Sequence, residues 1–143
     1  MCVFKNTAAG TQVIMAESAA GAITIGLYSV GTNLRFTADA GATDADGTIV
    51  ADTWYIATGI HDNAATPKTL LRINGVEQGN TAAANRTADT ETLYLGALNS
   101  AAQPLDGEIA EAAVFRHTAT QMYEGDIEGL EEGLARIYGI TLG

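Results

Sequence analysis

Between about residue 2 and residue 116, apolar and polar side chains alternate at every second position in short runs, and this rhythm restricts the fold more than any other feature. Ala22–Ser29 sets Ile23, Ile25 and Leu27 against Thr24, Gly26 and Tyr28, and Thr53–His61 sets Trp54, Ile56, Thr58 and Ile60 against Tyr55, Ala57 and Gly59. Gln12–Glu17, Asn33–Ala38, Thr69–Asn74, Glu91–Ala97 and Glu108–Arg116 are further strand-like runs. Successive side chains of a strand point to opposite faces, so a period of two marks half-buried antiparallel strands. Gly, Asn, Asp and Thr punctuate the runs and no helical stretch separates them, which favours a sandwich over an α/β fold. Pro67 and Pro104 fall between runs, where the missing N–H breaks no ladder. The expected core is Phe36, Trp54, Ile56, Leu71, Ile73, Leu93, Leu95 and Ile109.

The last quarter changes period. Tyr123, Ile127, Leu130, Leu134 and Ile137 step by three or four residues, with Glu124, Asp126, Glu128, Glu131 and Glu132 filling much of the remainder. That spacing predicts one amphipathic helix over about 119–138, packed as a lid on a sheet. Thr118 or Thr120 offers a start cap and Gly139 a stop.

At 143 residues the chain fits one domain, 1–143, with enough length to build a core without staples. Seventeen acids against seven bases give a net charge of −10, so no basic face for nucleic acid is expected. No apolar run is long enough to span a membrane, and no signal peptide is visible at the start. Cys2 is the single cysteine, which excludes an intrachain disulfide and a thiolate metal cage.

Four stretches in order resemble the laminin-G-like, concanavalin-type jelly roll. They are Thr53-Trp54-Tyr55-Ile56-Ala57-Thr58, Leu70-Leu71-Arg72-Ile73-Asn74-Gly75-Val76, Leu93-Tyr94-Leu95-Gly96, and Leu105 through Phe115 with its Asp106-Gly107-Glu108-Ile109-Ala110-Glu111 core. The tail Asp126-Ile127-Glu128-Gly129-Leu130 through Tyr138-Gly139-Ile140 is similar to that of the subgroup common in bacterial and phage surface proteins. The motifs have physical reasons of their own. Asn74-Gly75 supplies positive φ at both centres of a tight hairpin, and Gly107 lets a strand start close to another backbone. The chain departs from the family in two places. Only Cys2–Lys5 stands before the run at Gln12, where a full member has another strand or two, and Glu131 stands beside Leu130 where an aromatic is frequent.

The resemblance implies an all-β jelly-roll sandwich with a C-terminal helix, and a binding module rather than an enzyme. Glycosidases of this architecture need two carboxylates held about 5–5.5 Å apart when retaining. Glu108 and Glu111, three residues apart, are expected on opposite faces of their strand, and neither His61 nor His117 stands in a catalytic motif. Glycan or cell-surface binding is expected at rim loops 39–47, 61–68 and 79–90, with Tyr28, Tyr55, Tyr94, His61, Asn63, Asn85 and Arg86 as candidate contacts. The three tyrosines oppose their strands' apolar sets, and either line one exposed face or cover a neighbouring surface. Asp44, Asp46 and Asp62 lie in oxygen-rich stretches that suit calcium. The same sequences also suit plain turns.

Two settings follow from the resemblance. One is an adhesion module on a phage particle or bacterial surface, which would put the chain at a virion or extracellular surface. The other is a virion structural subunit whose faces bind neighbouring copies. The short start implies that one sheet edge lacks a strand and is covered by another copy or a partner, giving a homo-oligomer, unless Met1–Lys5 completes the sheet itself.

Overall fold

The computed structural model describes residues 1–7, 10–19, 22–38, 44–65, 69–82, 92–98, 103–115 and 124–143. Among the described residues ten strands precede one helix: β1 (Cys2–Asn6), β2 (Thr11–Ala19), β3 (Ala22–Val30), β4 (Asn33–Thr37), β5 (Asp44–Thr48), β6 (Trp54–His61), β7 (Thr69–Ile73), β8 (Val76–Thr81), β9 (Thr92–Leu95), β10 (Gly107–Ala112) and α1 (Glu124–Tyr138). They form two five-stranded antiparallel sheets in the orders β10-β1-β6-β7-β8 and β5-β4-β3-β2-β9. This is the jelly-roll sandwich with a C-terminal helix that the alternation and the resemblance imply. The first sheet is called A below, the second B.

Cys2, Phe4, Ile14, Leu27, Leu34, Phe36, Ala57, Leu71 and Ile73 fill the space between the sheets. A second cluster lies on the outer face of sheet A, where Ile127 and Ala135 of α1 cover Met1, Val3 and Ile56. A third lies outside sheet B, where Leu98 packs with Val13, Ala16 and Tyr28. Between the sheets, the β5–β8 side is closed tightly. A Cβ on Gly79 would stand 2.5 Å from the Asp46 carbonyl oxygen, and one on Gly47 would stand 2.6 Å from the Ile73 side chain.

The turn chemistry is as expected. Asn74 and Gly75 both adopt positive φ, 50° and 83°, as a tight β7–β8 hairpin requires. Asn74 adds a tie to the next strand, its Oδ1 accepting from the Ile56 N–H at 2.9 Å. Gly139 takes φ 66° after α1, and the Ile140 N–H returns to the Ala135 carbonyl at 3.0 Å, closing the helix end with spare carbonyls satisfied. A side chain at Gly107 would overlap the Lys5 carbonyl, so β10 does start against another backbone.

Several expectations are corrected. Trp54, Ile56 and Ile60 face α1, not the inter-sheet core, while Tyr55 and Ala57 face sheet B. The cause is volume: Phe36 lies directly under Gly59, leaving no room for a larger side chain there. Leu93 and Leu95 are 44% and 54% exposed, because β9 is an edge strand. Leu71, Ile73 and Phe36 are core as expected, and Ile109 is half-buried against it. Of the expected helix stripe, Ile127 is buried and Leu134 half-buried, but Leu130 and Ile137 are 38% and 72% exposed, and Glu131 and Ala135 complete the buried face instead. Tyr123 and the two threonine caps lie outside the described residues. Finally, β1 pairs with β10 on one side and β6 on the other, so the N-terminal strand is internal to sheet A and leaves no gap.

Candidate binding site

Strand register brings four of the candidate residues, His61, Asp62, Asn63 and Asp44, to one end of the sandwich. In sheet A, His61, Thr69 and Thr81 stand side by side across β6, β7 and β8. In sheet B, Thr37 opposes Asp44 and Ser18 opposes Thr92, one turn of chain from the β2–β3 connection. Gly59 lies against Phe36 and Gly79 against Asp46, so these two sets of strand ends belong to the same end. The chain therefore leaves the sandwich toward 39–43, 66–68 and 83–91 from one rim.

Two polar clusters lie toward that end, one running from Asp44 along the outer face of sheet B and one at the strand ends of sheet A. On sheet B, the Tyr28 hydroxyl donates to Asp44 Oδ2 at 2.6 Å, and Arg35 Nη1 reaches the same oxygen at 3.3 Å. Arg35 Nε also lies 3.4 Å from Asp46 Oδ1. Burial is the largest cause, and the Asp44 carboxylate the next, of a Tyr28 hydroxyl pKa pushed well above the usual phenol range. Tyr28 and Asp44 form the floor, while Arg35 and Asp46 are more open to solvent. On sheet A, His61 Nδ1 pairs with Thr69 Oγ1 at 3.0 Å and its Nε2 with Asn63 Oδ1 at 2.9 Å. Asp62 Oδ1 accepts from the Ala64 N–H at 2.8 Å, a local turn of the kind its sequence suits.

The family model for the concanavalin A-like lectin/glucanases superfamily, of the laminin-G type, matches residues 3–122. The chain belongs to that superfamily. Neither a curated protein nor a solved structure gives a match. Laminin-G-like domains of the superfamily are in general carbohydrate- or partner-binding modules, and typically non-catalytic.

Against that background the sequence-based candidates divide. Tyr28 and Tyr94 share the outer face of sheet B, on neighbouring rows defined by Val13 and Ala16. Tyr55 is elsewhere: its ring lies 6.1 Å from Phe4 between the sheets, and its hydroxyl accepts from the Val50 N–H at 2.8 Å. The three tyrosines therefore do not form one exposed platform. His61 and Asn63 are together. Asn85, Arg86 and His117 lie outside the described residues. Asp44 and Asp46 are in strand β5 with a guanidinium between them, not in a loop. Among the described residues no group of three metal-ligating side chains gathers.

Glu108 and Glu111 also differ from expectation. A bulge opposite Val3 and Phe4 returns both to the helix side of β10. There Glu108 pairs with Lys5 at 2.7 Å, and Glu111 accepts from the Tyr138 hydroxyl at 3.3 Å. Lys5 in turn sits 5.4 Å from the centre of the Trp54 ring.

Sequence reasoning missed two functional features. Arg35 was legible as exposed, since it opposes Leu34 and Phe36 in its run, but its partners lie on another strand. Glu131 is fully buried, accepting from Thr58 Oγ1 at 2.7 Å and from Arg72 Nη2 at 3.1 Å. No local signal marks it.

Proposed function

We propose that this domain is a non-catalytic module that binds glycan through the rim carrying the Arg35–Asp44–Asp46 and His61–Asn63 clusters. The observation supporting this reading is that one polar cluster, starting from Asp44 on the outer face of sheet B, and a second, His61 with Asn63 at the strand ends of sheet A, lie toward the same end of a lectin-superfamily sandwich. Sugar hydroxyls both donate and accept, so a carboxylate beside a guanidinium, and an imidazole beside an amide, suit them. The two carboxylates of β10, Glu108 and Glu111, are engaged by Lys5 and Tyr138, which favours a structural role over hydrolysis. The tail resemblance supports placing the domain on a phage particle or bacterial surface protein, a virion or extracellular setting.

A glycan array run with and without calcium tests the reading. Binding by the wild type should weaken up to about tenfold for each of His61→Ala, which removes a hydrogen-bonding ring, and Asp46→Asn, which removes the charge and turns one acceptor oxygen into a donor. Melting temperatures should stay unchanged. Binding that both variants retain in full, or no glycan bound in either condition, would refute it.

A further inference from the structure

The two sheets present four edges, and charge distinguishes them. β10 carries Glu108 and Glu111, β8 carries Glu77, and β5 carries Asp44 and Asp46. β5 and β8 also close against each other. β9 is Thr92-Leu93-Tyr94-Leu95, with no charged residue, and among the described residues it pairs with β2 alone. A chain of net charge −10 repels its own copies, so contact between copies is least opposed at an uncharged edge. Natural sheets protect free edges with charge or proline. β9 has neither, and it exposes Leu93 and Leu95.

Backbone geometry adds a second, independent argument. The Gly96 N–H donates to the Ile14 carbonyl at 3.0 Å, and Leu95 opposes Met15 while Tyr94 opposes Ala16. In an antiparallel ladder, hydrogen-bonded and non-bonded pairs alternate. Tyr94 therefore bonds inward to β2, and the N–H and C=O groups of Leu93 and Leu95 point out from the free edge. This pattern is self-complementary. A two-fold axis through Tyr94 sets Leu93 of one copy against Leu95 of the other, twice, so that every outward group finds a partner. The leucines then meet on one face and the two Tyr94 rings on the other.

We propose that β9 is a homodimerisation edge, joining sheet B of two copies into one continuous sheet. Two four-residue edges bury less than the roughly 1,200 Å² of a standard interface, so the dimer is weak and concentration-dependent. The two-fold closes the contact, so assembly stops at two. Screening the −10 charge strengthens it as salt rises.

Sedimentation across protein concentrations, at about 0.05 M and about 0.5 M salt, tests this. The wild type should shift from monomer to dimer, more readily at high salt. Leu95→Lys should raise the dissociation constant roughly tenfold or more by placing charges at the seam. Leu95→Pro should do the same by removing an outward N–H, which an edge strand tolerates. Glu108→Lys, on the other edge, should leave the dimer intact, and circular dichroism confirms that each variant is folded. A wild type that stays monomeric at every concentration and salt level would overturn the proposal. So would a dimer that survives both Leu95 variants, or one that Glu108→Lys abolishes.

Discussion

Removing the Glu131 carboxylate should loosen the helix from the sandwich at a cost of about 3–5 kcal/mol, the range for breaking a buried ion pair from one side. Glu131 has no exposed surface, and Arg72 is only 11% exposed. The carboxylate accepts from Thr58 Oγ1 at 2.7 Å, from Arg72 Nε at 3.2 Å and from Arg72 Nη2 at 3.1 Å, tying α1 to β6 and β7 together. In Glu131→Ala the guanidinium keeps the Gly75 carbonyl at 2.6 Å, with Glu128 3.8 Å away and half exposed. Those leftovers compensate part of the charge, while the Thr58 hydroxyl loses its acceptor, worth about 1 kcal/mol. Against a total stability of about 5–15 kcal/mol this is a large fraction. Urea unfolding followed by the fluorescence of Trp54, which packs in the helix-side cluster, reads it directly. The discriminating variant is Arg72→Met with Glu131→Met. Replacing both ends by apolar side chains of similar volume should cost about 1 kcal/mol or less, far below the sum of the single losses. A Glu131→Ala loss under about 1 kcal/mol, or a double variant as unstable as that sum, would refute the claim that unpaired charge is what matters.

Two further outcomes follow from the packing. Gly59→Ala should lower stability by about 1–3 kcal/mol through overpacking, because its new methyl meets the Phe36 ring; a shift in urea midpoint checks it, and a neutral result would refute the tight approach. Burial pushes the Cys2 thiol from 9.0 up to about 12. Between those values the folded chain keeps a proton that the unfolded chain releases, so this group's contribution is complete below pH 9 and drains as pH rises, by at most about 1.4 kcal/mol per unit. Urea midpoints from pH 9 to 10 should fall less steeply in Cys2→Ala, and the native thiol should resist alkylation; equal slopes or fast alkylation would refute it.

How much of this was legible in the sequence depends on whether the deciding interaction is local. Alternation fixes which residues of a strand share a face, and it placed β2, β3, β4, β6, β7, β9, β10 and the Asn74-Gly75 hairpin, whereas β5 and the end of β8 lie where the rim loops 39–47 and 79–90 were expected. It does not say which face lies inside. β6 is covered on both sides, by sheet B and by α1, so both of its residue sets are apolar or small. The larger set looks like core by size alone. The gap between the sheets decides otherwise, since Phe36 fills it and sends Trp54 and Ile56 beneath the helix. The same limit applied to α1. Glu131 reads as a solvent-facing acid until Arg72 and Thr58, 59 and 73 residues away, are placed against it. Counting it as buried turns the helix and exposes Ile137. At the rim, Asp44 and Asp46 suggested calcium because oxygen density is visible in sequence, whereas the arginine that neutralises them stands across the β4–β5 pairing. Edges are the least local property of all. β1 lies between β10 and β6, partners fixed by pairings about a hundred and about fifty residues away, so a short N-terminal segment became an internal strand. An uncharged run of four residues became the free edge instead. Charge at the other three edges and its absence at β9 is therefore a pattern that acquires meaning only once the strand order is known.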